Sequence, residues 1–267
     1  MTFRREVRSS LTLRVGDPTA FALALAVAEG VPTTVETLRV SLDGEPVTTR
    51  PLADAHGTRL DLFETAADGI LQVDYTATVT GRAAPASVDP LDAVVYLRPS
   101  RYVPSDALVT FARDTFPGLE GWPLARAVGE WVHDHLRYDA SATSPTGGAA
   151  ETLEAGAGVC RDFAHVTAAI LRALDHPARL VSVYAPQLEP MDLHAVVEVL
   201  VGGRWVVVDA TRLAPRAGLV RIATGRDAAD TAFETNTLAD VELLAMSIDA
   251  RADRELDDDP DEPVELR

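Results

Sequence analysis

The feature that most restricts the fold is a change of hydrophobic period partway along the chain. Up to about Val79 apolar residues recur at every second position. Val7, Ser9, Leu11, Leu13 and Val15 share one side of a segment, and Phe21, Leu23, Leu25 and Val27 share one side of the next. Leu38, Val40 and Leu42 lead into Asp43-Gly44, a two-residue hairpin signal, and Gly57 to Leu62 and Ile70 to Val79 continue the alternation. Short strands between frequent turns predict an antiparallel β-sandwich over residues 1–90. Gly81 to Pro90, rich in alanine and proline, reads as a connector, and Leu91 to Pro104 as an extended crossover. After Ser105, a candidate N-cap, the period becomes helical: Leu108, Phe111 and Ala112 face inward. A second helix follows Gly121-Trp122-Pro123, with Leu124, Val128, Trp131 and His135 on one stripe. Strand patterns return at Ala178 to Tyr184, Leu193 to Val201 and Arg204 to Ala210. Elements segregated in blocks this way predict an α+β chain, with a second unit over 91–250.

Within that second unit, Glu154-Ala155-Gly156-Ala157-Gly158-Val159-Cys160 passes from a glycine-rich turn into a helix and carries the chain's one cysteine. Phe163, Val166, Thr167, Ile170, Leu171 and Leu174 fall on one helical face, and the spacing turns Cys160 toward it. Arg161, His165, Ala168, Arg172 and Asp175 fall on the other side. A lone cysteine is commonly a small buried hydrophobe. At a helix N-terminus, however, the unpaired N–H groups favour thiolate, which is the nucleophilic form.

The strands beyond this helix supply partners. With Gly202-Gly203 as a two-residue turn, Val201 pairs with Arg204 and Val196 with Asp209, and His194 lies opposite Thr211. Side chains alternate faces, so His194, Val196, Asp209 and Thr211 project together, and His194 and Asp209 are diagonal neighbours. A slip of one residue would separate them. This set suits acyl transfer. Cys160 attacks a carbonyl, His194 takes the thiol proton and returns it to the leaving amine, and Asp209 orients the imidazole. The Cys160 N–H is one candidate oxyanion donor; no residue declares itself as the second. The polar loop from Tyr138 to Gly148 stands where a substrate-facing loop is expected. His133 and His135 suggest a metal site, but residues two apart on a helix face different ways. No metal or cofactor is expected, because the three side chains are chemically complete.

Gly158-Val159-Cys160-Arg161-Asp162-Phe163-Ala164-His165, Leu193-His194-Ala195-Val196-Val197-Glu198 and Val208-Asp209-Ala210-Thr211 resemble the bacterial transglutaminase-like superfamily. The resemblance runs from about Ala107 to Phe233, and the strand-rich first part is similar to the β domain that often precedes such cores. It implies a papain-like core, with Cys160 at a helix N-terminus packed on an antiparallel sheet carrying His194 and Asp209. It also implies that the chain is a cysteine-protease-like thiol enzyme acting on a peptide, protein or other amide-containing substrate. Three positions depart from the family pattern: Arg161 where Gln is common, Val196 where Trp is common, and Ala210 where Pro is common. His165 also belongs to the resemblance, but the helical spacing turns it away from Cys160, so it is expected to be structural. Hydrolysis and transfer to an amine both remain open, as does a catalytically silent binding module on the same fold.

Composition excludes other classes. A net charge of −17 argues against a nucleic-acid partner. The longest apolar run, Phe21 to Ala28, is too short for a membrane helix. A single cysteine fits a reducing, cytoplasmic setting. All 24 basic residues are arginine, so the chain offers no lysine side chain as an acyl acceptor. The acidic segment 251–267 is expected to stay solvated and mobile. Oligomeric state is not encoded in any pattern here.

Overall fold

The computed structural model describes every residue except Met1 and Leu238. The alternating first part forms two antiparallel sheets. One is five-stranded, in the order Val241–Ala252, Arg4–Val15, Gly69–Thr80, Thr33–Leu42, Glu45–Pro46. The other is four-stranded, in the order Glu234–Thr237, Ala20–Leu23, Arg59–Glu64, Arg50–Ala53. The inward sets meet as a sandwich core of Leu11, Leu13, Val15, Phe21, Leu23, Phe63, Leu71 and Val73. Asp43 and Gly44 both take positive φ, as the tight turn requires.

Two edge strands of this sandwich come from the far end of the chain. Val241–Ala252 pairs along Arg4–Val15, and Glu234–Thr237 pairs with Ala20–Leu23. The boundary expected at residue 250 therefore shifts: the stretch after about 233 returns to the β-sandwich. In Val241–Ala252 the buried positions are few, so periodicity alone could not reveal the pairing partner. The segment Leu91 to Pro104, expected to be extended, contains a short helix at Asp92–Val95. Asp89 and Asp92 hold its start through bonds to Leu91 N and Asp89 N. Ser105 opens a 3₁₀ turn rather than capping a helix, and the α-helix begins at Val109.

A second four-stranded antiparallel sheet has the order Arg204–Val208, Leu193–Val201, Ala178–Tyr184, Val220–Gly225. Every residue of Ala178–Tyr184 is buried, as befits a central strand covered on both faces. The helix Cys160–Ala173 packs on one face, where Phe163, Val166, Ile170 and Leu171 meet Leu180, Val197 and Val199. The expected two-sided helix is in fact enclosed all round. His165, Ala168 and Arg172 are as buried as the apolar stripe, because Arg172 ties the helix to the carbonyls of Ala178 and Arg98. Farther along the strands the same sheet face meets the β-sandwich through Tyr184, Val220 and Ile222 against Val27, Tyr75 and Ala77. Tyr184 donates to Leu25 O at 2.8 Å across that junction. One buried apolar cluster thus joins the two units.

The acidic run 257–263 is exposed, while the chain beyond it is held against the second sheet. Val264 O accepts from Val207 N at 2.8 Å, and Leu266 is buried among Val181, Val183 and Val196. Arg216 gathers the segment, donating to the Asp258 carboxylate and to the carbonyls of Asp259 and Glu262. Composition marks the acid run as solvent-facing, which its exposure matches; the anchoring by Arg216 and by Leu266 beyond the run is what composition does not show.

Candidate active site

The cysteine helix begins as its sequence requires. Asp162 Oδ2 accepts from Val159 N at 2.9 Å, covering a free donor at the helix start. Gly158 makes this possible: a Cβ there would sit 2.6 Å from the Cβ of Asp162. Gly158→Ala is therefore expected to destabilise the fold by about 1–3 kcal/mol through overpacking, read as a lower urea midpoint. Ala157–Gly158 also pairs in parallel with Arg137–Tyr138, which brings Tyr138 alongside Cys160.

The hairpin adopts the expected register: Val201 faces Arg204 and Val197 faces Val208, with Gly202 and Gly203 both at positive φ. The ladder ends one pair before Val196 and Asp209, leaving Asp209 free to turn toward the histidine. His194 Nε2–H donates to Asp209 Oδ2 at 2.8 Å, and both side chains are almost fully buried. The other Asp209 oxygen accepts from Thr211 N at 2.9 Å and Thr211 Oγ1 at 2.7 Å. His133 Nδ1–H donates to Ala210 O at 3.0 Å, pinning the same turn. His135 bonds instead to Trp131 O and stacks on the Trp131 ring, so the two histidines of the triplet serve different neighbours.

The remaining ring nitrogen, His194 Nδ1, is buried without a hydrogen-bond partner among the described residues. Beside the ring is the Cys160 thiol, whose sulfur also lies 3.9 Å from Leu193 O. Burial works against a charged His194, but the Asp209 carboxylate and the Cys160 thiol outweigh it and hold the pKa above the ordinary imidazole range. For Asp209 burial opposes ionisation, and His194 with Thr211 outweighs it, holding the carboxyl below its ordinary range. The three side chains singled out in the sequence therefore converge.

Two neighbours escaped sequence reading. The Tyr138 hydroxyl turns to the backbone N–H and thiol of Cys160. Burial of that end of an otherwise exposed ring, with Cys160 beside it, pushes the phenol up to about 12. Its parallel pairing with Gly158 is a long-range contact that no local pattern encodes. Asp192, with an exposed side chain, accepts from Leu193 N at 2.7 Å, and partial desolvation holds its carboxyl above the ordinary range. Arg161 fastens the polar loop, donating to Thr143 Oγ1 at 2.8 Å and Ser144 O at 3.1 Å. His165 is directed away, stacked on Tyr102 and accepting from Ala228 N at 3.1 Å. Burial lowers its pKa to about 3, which keeps it neutral.

Residues 119–210 match the family model of the transglutaminase-like superfamily. The crystal structure of a "putative cysteine protease" from Cytophaga hutchinsonii superposes with a TM-score of 0.87 at 31% identity, covering 97% of this chain and 93% of that one. An uncharacterized protein of Mycobacterium leprae is 27% identical over 156 residues, 55% of either chain. A UPF0252 protein of Pyrococcus horikoshii is 32% identical over 124 residues, 44% of this chain and 38% of that protein. The chain thus matches about half, or less, of the length of these two curated relatives. Near-complete coverage at that identity, with a matching core, means that this chain belongs to the transglutaminase-like superfamily.

Proposed function

We propose that the chain is a cysteine-dependent acyl-transfer enzyme that cleaves an amide bond of a peptide or protein through a Cys160 thioester. The observation that carries this reading is the His194 ring, bonded to Asp209 at Nε2 and left unpaired at Nδ1 beside a thiol. The raised basicity of His194 keeps the shared proton on Nδ1, and the Cys160 thiolate Sγ bonds to the substrate carbonyl carbon. The carbonyl π electrons move to oxygen. The tetrahedral species then collapses, the C–N bond breaks, and His194 returns the proton to the amine. Water attacks the thioester next, giving its proton to His194, and the thiolate–imidazolium pair is restored as the C–S bond breaks. An amine in place of water would give transfer; hydrolysis needs no second binding site and is the proposed outcome.

The Cys160 N–H and the Tyr138 hydroxyl supply two donors for the developing oxyanion. Burial first, and then the Cys160 thiol, hold the phenol protonated at neutral pH against the opposing Cys160 N–H, as a donor must be. On this account Tyr138→Phe lowers kcat by about 10²-fold or more with little change in KM. An equal loss confined to KM would remove Tyr138 from this role. The name of the Cytophaga hutchinsonii relative supports peptide bonds as the target. The test is mass spectrometry of the protein incubated with an acyl-donor peptide library, with and without an added amine. The expected result is a transient acyl adduct on the Cys160 peptide and hydrolysed product. A library left intact, with no adduct in wild type, would refute the reading.

A further inference from the structure

Away from the thiol site, a cavity of about 340 Å³ opens where the β-sandwich meets the outer face of the second sheet. Strand starts, two turns, the Gly81 to Pro90 connector and the end of the acidic segment all reach it. Its wall contains Arg5, Arg179 and Arg221, which are 1%, 2% and 8% exposed. Buried charge is costly unless paired, so the counter-ions matter.

Glu198, fully buried, accepts from both Arg179 and Arg221, at 2.7 Å and 2.6 Å. One carboxylate thus answers two guanidinium groups. Among the described residues Arg5 meets no side-chain carboxylate. It donates to Leu219 O at 3.0 Å, Arg267 O at 3.1 Å and Gly81 O at 2.7 Å, and its Nε is buried without a partner. The Arg267 oxygen, even taken as anionic, balances one of these charges and leaves another unanswered. Burial, with Arg82 nearby, lowers the Arg5 pKa to about 10, which is the mark of a cation in want of an anion. Arg267 and His56 also line the cavity, each with a carboxylate to one side: Glu265 lies 3.6 Å from the Arg267 guanidinium and Asp92 3.8 Å from His56 Nε2. Glu29 and Asp54 also border the cavity, but both are exposed. Asp54 Oδ1 is already occupied by His56 N and Thr58 N. A concave, inward-positive site in a chain of net charge −17 focuses negative ligands.

We propose that this cavity binds a small organic anion through a carboxylate or phosphate group. The ligand's oxygens reach the Arg267 guanidinium and the His56 ring, with the buried Arg5, Arg179 and Arg221 supplying charge from behind. A volume near 340 Å³ admits a small metabolite-sized molecule rather than a polymer. The charge-assisted bonds that guanidinium groups make to oxyanions give it affinity.

Inorganic phosphate and acetate serve as separate probes, titrated by calorimetry and thermal unfolding against chloride at matched ionic strength. Saturable stabilisation by one or both, beyond that of chloride, is expected, and the better probe identifies the preferred head group. Ala86 lines the cavity from the connector, so Ala86→Glu places a carboxylate there without touching the buried network. That variant should melt higher than wild type in chloride and bind the probe at least about tenfold more weakly. Arg267→Ala should weaken binding about fivefold and leave the fold intact. If phosphate and acetate do no more than chloride, or if their effect persists unchanged in Ala86→Glu, the site does not exist as described. Cys160 alkylation is independent of these readouts, so failure here leaves the thiol enzyme reading standing.

Discussion

His194→Ala is expected to lower kcat/KM by about 10³–10⁴-fold on whichever peptide the library selects, because it removes the group that takes and returns the proton. Cys160→Ala should abolish the acyl adduct altogether. Asp209→Asn should come close to the histidine variant: the imidazole would lose the charge that holds its Nε2–H in place. The same pair makes a prediction about stability, and the signs differ for its members. His194 has a raised folded pKa, so its contribution is complete below about pH 6.5 and lost as pH rises through the folded value. Asp209 has a lowered folded pKa, so its contribution is complete above about pH 4 and lost as pH falls. The stability gap between wild type and Asp209→Asn should therefore peak between about pH 4 and 6.5 and narrow on both sides. Urea unfolding across that range measures it. A gap that is flat with pH would mean the two side chains do not titrate as a pair.

Glu198→Gln carries the largest expected loss of stability, about 3–5 kcal/mol, since it strands Arg179 and Arg221 in the interior without a counter-ion. The carboxylate is held below its ordinary pKa: burial opposes its charge, and Arg221 and Arg179 outweigh it. Its contribution is present above about pH 4.3 and disappears as pH falls, so the variant and wild type should converge in acid. Equilibrium urea unfolding at neutral and acidic pH reads both effects. A loss below about 1 kcal/mol at neutral pH would show that the network is solvated rather than buried.

The site was legible in the sequence wherever local rules applied. Gly202-Gly203 set a turn of known geometry, and period-two alternation then determined that His194 and Asp209 share a face. Helical spacing placed Cys160 at a helix start, and it is the first residue of that helix. The α+β class followed from the switch of period, and the structure has that class. What stayed hidden depends on pairing between distant segments. Nothing near Tyr138 announces that it will lie beside Gly158, and nothing in Val241–Ala252 names Arg4–Val15 as its partner. The docking of the acidic end stayed hidden for a different reason: seven exposed residues of acid and proline dominate its composition, whereas the Val264 carbonyl and the Leu266 side chain decide where it lies. Buried arginines are similarly opaque, because a charged residue in an alternating strand reads as solvent-facing until its carbonyl or carboxylate partners are known.

Alkylation of Cys160 by iodoacetamide at neutral pH, followed by intact mass, bears most directly on the claim that thiol, imidazole and carboxylate act together. Wild type should react at least about tenfold faster than a free thiol, and His194→Ala should bring the rate down toward that reference. A wild-type rate no faster than the free thiol, and unchanged by His194→Ala, would contradict the account.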